Sequence, residues 1–338
     1  MPKKEKRTRT KIAVIGTGGT FAMHGAHDYD WIDYFDSGII YSLGELLERH
    51  PLNLAEFEIL TVDYKQLPST GITPTDWVQL SAFIQELQQR HPDLSGIVLT
   101  HGTASLEETA YYLNLTHQGA RLIVTGAQRP ANTAGSDAIT NLRAAIFAAA
   151  SPTLPESSVN VVFDGFVYST RDILKTGNHQ LNAFEAPEFG PLARIEPDGS
   201  VTIRRQETPT PFRLNADQLK TLTSLPRVDI VYSYAGADNT AIKAFCEAGA
   251  SGLIIAGFPP GRSANGERQA LVEAVKKGVV VVQSSRSYRG MVPDQSYNRE
   301  EGILGGGQLT VQKARVLLML MLATKTQRED MQKILLEA

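Results

Sequence analysis

Cysteine is almost absent: Cys246 is the one thiol in 338 residues. That excludes a disulfide framework and a thiolate metal cage, and it fits a reducing compartment, so the cytoplasm is the expected location. By default such a lone cysteine is a small buried hydrophobe. Long apolar runs are missing too. The longest, Val316 to Ala323, falls far short of the ~20 residues a membrane-spanning helix needs, so it reads as a buried helix and no membrane partner is expected. Aromatic residues make up only 7% and the net charge is −3 at pH 7, which supplies neither the stacking platforms nor the cationic field of a nucleic-acid binder. The cations Lys3, Lys4, Lys6, Arg7 and Arg9 precede no apolar signal-peptide core, so residues 1–10 read as a basic flexible tail.

Familiar nucleotide and hydrolase signatures are also lacking. Phe21 stands where the dinucleotide fingerprint needs its third glycine, no Gly-Lys-Ser/Thr follows a glycine loop, and no Gly-x-Ser-x-Gly elbow occurs. The His and Asp residues of 24–36 match no metal-ligand spacing, so neither metal nor cofactor is expected.

What the chain does have is a rhythm of short apolar, β-branched runs, each followed by a turn and a helical pattern. Lys11 to Ile15 is the first such strand and breaks at Gly16, Gly18 and Gly19 before Thr20. Further strands are expected at 57–62, 94–100, 121–124 and 159–163, with helices over 42–49, 73–90, 105–117 and 137–150. Ser105 and Glu108 are spaced as a capping box, as Thr73, Pro74 and Asp76 are for a helix start. The alternation predicts right-handed βαβ units and a parallel sheet. Residues 187–225, rich in Pro, Gly and charge, read as a hairpin and a linker, after which strands at 229–232, 253–256 and 279–283 restart the pattern. The fold class is therefore two-domain α/β: a basic tail (1–10), a larger parallel-sheet domain (11–203), a linker (204–225) and a smaller α/β domain (226–338). Gly305-Gly306-Gly307 reads as a flexible connection before the last helix.

Thr20 and Thr103 both fall at strand-to-helix turns, where open α/β sheets bind ligands. Either is a candidate nucleophile or an ordinary cap. A threonine hydroxyl needs a base, and Lys175, expected to follow a strand of the same sheet, serves if desolvated; otherwise it is a surface cation. The polar, aromatic stretch 21–40 reads as a long loop, a candidate lid with hinges at Gly25 and Gly38.

Taken in order, Thr17-Gly18-Gly19-Thr20, His101-Gly102-Thr103, Glu107-Glu108-Thr109-Ala110-Tyr111, Gly126-Ala127-Gln128-Arg129-Pro130, Arg171 to Lys175, Phe189 to Leu192 and Gln312 to Arg315 resemble the bacterial-type L-asparaginase (asparaginase/glutaminase) family. The resemblance covers nearly the whole chain. It implies an asparaginase-like fold, assembled as a homotetramer of intimate dimers, and cofactor-free hydrolysis of a small side-chain amide through a threonine acyl-enzyme. On that likeness Thr20 is the nucleophile, Thr103 the second hydroxyl with Lys175 its base, and Tyr34 the tyrosine that approaches the nucleophile. Ser69 and Thr70 hold the substrate carboxylate, and the backbone about Gly102, Thr103 and Ala127 faces the developing oxyanion.

Three departures stand out. The family pattern His-Gly-Thr-Asp places a carboxylate where this chain has Ala104, and that acid binds the substrate's α-ammonium. A second such acid is expected near Pro293 to Tyr297, where Asp294 is off register, and Arg262 stands near the family's second-domain asparagine. Leaving an ammonium unpaired in a closed site costs about 2–5 kcal/mol. An amide, imide or lactam without that charge is therefore an alternative substrate class, and a non-catalytic small-ligand-binding protein is an alternative function.

Overall fold

The structure is a computed structural model and describes residues 9–338, so most of the basic tail, residues 1–8, lies outside the described residues. Two compact units divide between Glu207 and Thr208, and each contains a sheet of its own.

In the first unit β1 (Thr10–Gly16), β2 (Phe57–Asp63), β3 (Gly96–Thr100), β4 (Arg121–Thr125) and β5 (Val159–Phe163) run parallel. Every residue of β3, β4 and β5 is buried, which is why these strands read as mainly apolar runs and not as alternation. The crossovers are α1 (Leu43–Arg49), α2 (Pro74–Arg90), α3 (Leu106–Thr116) and α4 (Ala138–Ala150). Leu142, Ala145 and Ile146 of α4 close over Ile12, Val14, Val98 and Ile123. Reciprocal capping boxes open α1 (Ser42 with Glu45) and α2 (Thr73 with Asp76, Pro74 following). The box expected of Ser105 and Glu108 does not form. The Ser105 side chain caps nothing, and its hydroxyl donates to the Ser69 carbonyl at 2.6 Å, fastening one loop to another.

The expectation of a wholly parallel sheet is also corrected. Asp164 and Gly165, at φ 49° and 74°, make a two-residue hairpin turn, which can only join antiparallel strands. It sends β6 (Phe166–Ser169) back along β5. The chain then forms a separate antiparallel ribbon, β7 (Leu174–Lys175) with β8 (Phe184–Glu185), before β9 (Ala193–Ile195) and β10 (Val201–Ile203) complete an eight-stranded sheet in the order β10-β9-β6-β5-β4-β3-β1-β2. Lys175 therefore sits in the ribbon, beyond an antiparallel strand, and does not follow a parallel one.

The second unit begins with irregular chain and α5 (Ala216–Thr221), a capped helix inside the stretch expected to be linker. β11 (Val228–Tyr232), β12 (Gly252–Gly257), β13 (Val280–Ser285) and β14 (Leu304–Gly305) form a parallel sheet in sequence order. Around it lie α6 (Thr240–Glu247), α7 (Asn265–Lys276), α8 (Ser296–Glu300), α9 (Val311–Ala323) and α10 (Arg328–Glu337). The apolar run from Val316 to Met321 is buried in α9. The triple glycine is no free connection: Gly305 pairs with Gln283 as part of β14 and Gly307 bridges to Val292. Cys246 is only partly covered and not buried.

Candidate active site

The registers of the first sheet bring its strand ends level: Gly16 lies opposite Asp63 and Thr100, and Thr100 opposite Thr125. β1 has β2 on one side and β3 on the other, so the direction of winding reverses between β1 and β3. Such a reversal leaves a crevice beyond the carboxyl ends of the strands. Thr20 leaves β1 and Thr103 leaves β3, on the two sides of that crevice. Their turns touch backbone to backbone. Gly19 has φ 76°, and a Cβ built on it would stand 2.4 Å from Gly102 Cα, so neither position tolerates a side chain.

Thr20 is 8% exposed, and its Oγ1 lies 2.8 Å from the Tyr34 Oη. Tyr34 opens a single 3-10 turn, Tyr34–Ser37, inside the long loop. That loop is tied down where a hinge was expected: the Gly25 N–H donates to Asn132 Oδ1 at 2.9 Å, and its carbonyl accepts from Asn132 Nδ2 at 2.8 Å. The Arg129 guanidinium also lies 3.8 Å from the Trp31 ring centroid, a contact worth about 1 kcal/mol. Beside Tyr34 is a small, mainly apolar cavity of about 140 Å³ lined by Met23, Phe35, Ile39, Ile40 and Leu67 among others.

The second hydroxyl has its own partner. Lys175 Nζ donates to Thr103 Oγ1 at 2.7 Å and to Gln128 Oε1 at 3.2 Å, and Thr103 Oγ1 donates to the same Gln128 oxygen at 3.0 Å. The Lys175 backbone N–H is held at 2.6 Å by Oε2 of Glu107, in the first turn of α3. Loss of water around the ammonium lowers the Lys175 pKa from its ordinary 10.5, against a smaller opposing pull from Glu107. Beneath the pair, His101 is fully buried and its pKa is lowered to about 4 by that burial. Its Nδ1–H donates to the Gly102 carbonyl at 2.7 Å.

Ser69 is half-buried, and its Oγ accepts the Ala104 N–H at 3.3 Å. Thr70 and Ala104 are exposed, while Gly102 and Ala127 are buried. Three groupings thus stand at one sheet edge: Thr20 with Tyr34, Thr103 with Lys175, and Ser69 with Ala104. Reading the sequence missed the parts played by Ser105, Glu107 and Gln128. No local spacing marks the carboxylate, because its partner, the Lys175 backbone N–H, lies 68 residues on.

In the second unit Asp294 is ion-paired with Arg299 at 2.8 Å, and the Arg262 guanidinium lies 5.1 Å from the Tyr297 ring. Among the described residues no cluster of three or more His, Cys, Asp or Glu side chains is placed to hold a metal ion, and no helix is long and apolar enough to cross a membrane.

Comparison with known proteins first gives the class, a two-domain α/β hydrolase acting on amide C–N bonds. Residues 11–209 match the family "Asparaginase, N-terminal" and residues 227–335 the family "Glutaminase/Asparaginase C-terminal domain". The chain belongs to the asparaginase/glutaminase family. It is 33% identical to the L-asparaginase 2 of Bacillus subtilis, across 98% of this chain and 86% of that one. It is 32% identical to a glutaminase-asparaginase of Pseudomonas fluorescens, across 99% and 93%. A crystal structure described as "Probable Cytoplasmic L-asparaginase" from Campylobacter jejuni superposes with a TM-score of 0.90 at 31% identity, covering 98% of this chain and all of that one.

Proposed function

We propose that the protein releases ammonia from a small side-chain amide, L-asparagine or a relative of it, through an acyl-enzyme on Thr20. The observation that carries this is the pairing of each hydroxyl with a group able to exchange its proton: Thr20 with the Tyr34 phenol at 2.8 Å, Thr103 with the Lys175 amine at 2.7 Å. Thr20 Oγ1 adds to the amide carbon while its proton leaves toward Tyr34. The C–N bond breaks, nitrogen takes up the proton and departs as ammonia, and water then cleaves the ester to free Thr20. Lys175, desolvated and thereby more available as the neutral amine, is the base of the second hydroxyl, Thr103. Ser69 and Thr70 receive the substrate carboxylate, and backbone donors about Gly102, Thr103 and Ala127 face the oxyanion. The family likeness carries with it a homotetramer of intimate dimers, which mass in solution tests; the cytoplasmic location rests on the scarcity of cysteine.

Ala104 favours a second reading of the substrate. It is exposed and brings no carboxylate to the site, so an α-ammonium meets no partner there and an amide lacking that charge is preferred. Ammonia release from L-asparagine and from succinamic acid, each with Thr20→Ala as the blank, tests both readings. The expected result is turnover abolished by the substitution, with succinamic acid favoured at least about tenfold, the equivalent of ~1.4 kcal/mol. Preference for L-asparagine discards the second reading and leaves the first. Turnover undiminished in Thr20→Ala discards the acyl-enzyme.

A further inference from the structure

Gln128 is in contact with both members of the Lys175–Thr103 pair. Its Oε1 accepts from Lys175 Nζ at 3.2 Å and from the Thr103 hydroxyl at 3.0 Å, which uses both lone pairs of an amide oxygen. The rest of the residue is fixed as well. Its Nε2 donates to the carbonyls of Asn178 and Gln180, each at 3.2 Å, and its backbone N–H donates to the Asp137 carboxylate at 3.0 Å. The amide has one workable orientation, because turning it over sets NH₂ against the lysine donor and oxygen against two carbonyls.

We propose that Gln128 is the positioning residue of the Lys175–Thr103 pair: a neutral acceptor that aims the amine at the Thr103 oxygen without adding the negative charge that keeps an amine protonated. This rests on Lys175 acting as a base, as proposed above. A carboxylate in the same place also collects both hydrogen bonds, but it holds the lysine proton. The charge already acting on Lys175 is that of Glu107 on α3, and the Phe184 ring of β8 lies 5.9 Å from Nζ. Asp137, just before α4, is occupied by the Gln128 and Arg129 N–H groups and by Asn141.

Two substitutions test the assignment in the full-length protein. Gln128→Met keeps the volume and removes the acceptor; it should lower kcat about tenfold to a hundredfold, the scale of a misaimed catalytic group, with KM nearly unchanged. Gln128→Glu is isosteric and should move the acid limb of the kcat/KM profile to higher pH by about one to three units. Lys175 ionisation is read independently of turnover by competitive acetic anhydride labelling across pH, followed by mass spectrometry of its peptide. Its midpoint should rise in Gln128→Glu and fall in Gln128→Met. A Gln128→Glu protein whose Lys175 midpoint equals that of the wild type overturns the proposal, as does a folded Gln128→Met protein with wild-type kcat. Wild-type turnover no greater than that of Thr20→Ala defeats the acyl-enzyme reading instead, and the labelling midpoints still decide the role of Gln128.

Discussion

Both units end their parallel strands in turns that carry serine or threonine, yet the hydroxyls are spent differently. In the second unit Ser233, wholly buried after β11, donates to Glu267 Oε2 at 2.6 Å, and Ser284 at the end of β13 donates to the Leu309 carbonyl. Arg286 donates to the Ser233 carbonyl at 3.2 Å and lies 4.5 Å from the Phe258 ring centroid. These groups bind the unit to itself. In the first unit Thr20 faces a phenol and Thr103 an amine. One architecture therefore holds two kinds of hydroxyl, and the partner, not the strand end, decides which has chemistry to do.

Removing one hydroxyl from each unit gives the strongest test of that difference. Thr20→Ala should reduce ammonia release at least about a thousandfold, on the scale of other deleted nucleophiles, with the unfolding transition barely moved. Ser233→Ala should do the reverse. Turnover stays near wild type while stability falls by about 1–3 kcal/mol, because Glu267 is left short of a buried donor. Equal loss of activity in the two variants, with both stably folded, breaks the comparison.

Lys175→Met comes next, with kcat lowered about 10²–10⁴-fold, the usual range for a lost general base. In the wild type the neutral amine is the active form, so kcat/KM should climb as pH rises through a Lys175 pKa lying below 10.5. Lysine's lowered pKa also means that the unfolded chain holds this proton more tightly than the folded one. Its unfavourable contribution to stability is full at low pH and is relieved as pH rises through the lowered value toward 10.5. Both the rate limb and this stability slope should vanish in the methionine variant, and a pH–rate profile identical to wild type counts against Lys175 as base.

How much of this was legible follows from how local each feature is. The caps at Ser42 and Thr73 were readable or partly so because their partners lie three residues on. The strand ends bearing Thr20 and Thr103 were readable because glycine turns interrupt apolar runs. The antiparallel return at Asp164-Gly165 was missed because the preceding parallel rhythm was carried forward past a turn that contradicts it. Gln128 and Glu107 stand in sequence motifs that show no role for them, since their contacts with Lys175 span 47 and 68 residues of sequence. No periodicity encodes a contact made only when a ribbon folds back over a sheet. Ser105 was misread for a related reason: its hydroxyl had a local helix to cap and a distant carbonyl to bind, and packing chose the second.

His101 gives the smallest and most local contrast between the units. Its imidazole is wholly buried beneath Thr103, with Nδ1–H bound to the Gly102 carbonyl and Nε2 unpartnered. Burial lowers its pKa from 6.5 to about 4, so between those values the unfolded chain binds a proton that the folded chain refuses. Stability must then fall as pH drops from 6.5 toward 4, and the slope ends once the native histidine also protonates. The whole window corresponds to about 3 kcal/mol at most, at ~1.36 kcal/mol per pKa unit. Because the group directly follows β3 of the first sheet, amide hydrogen exchange should show β3 and β4 losing protection across this window ahead of β12 and β13. His101→Gln, which cannot take up the proton, should remove the difference. Equal loss of protection in both sheets, or an unchanged acid response in the variant, means that carboxylates elsewhere and not this histidine set the acid limit of the site.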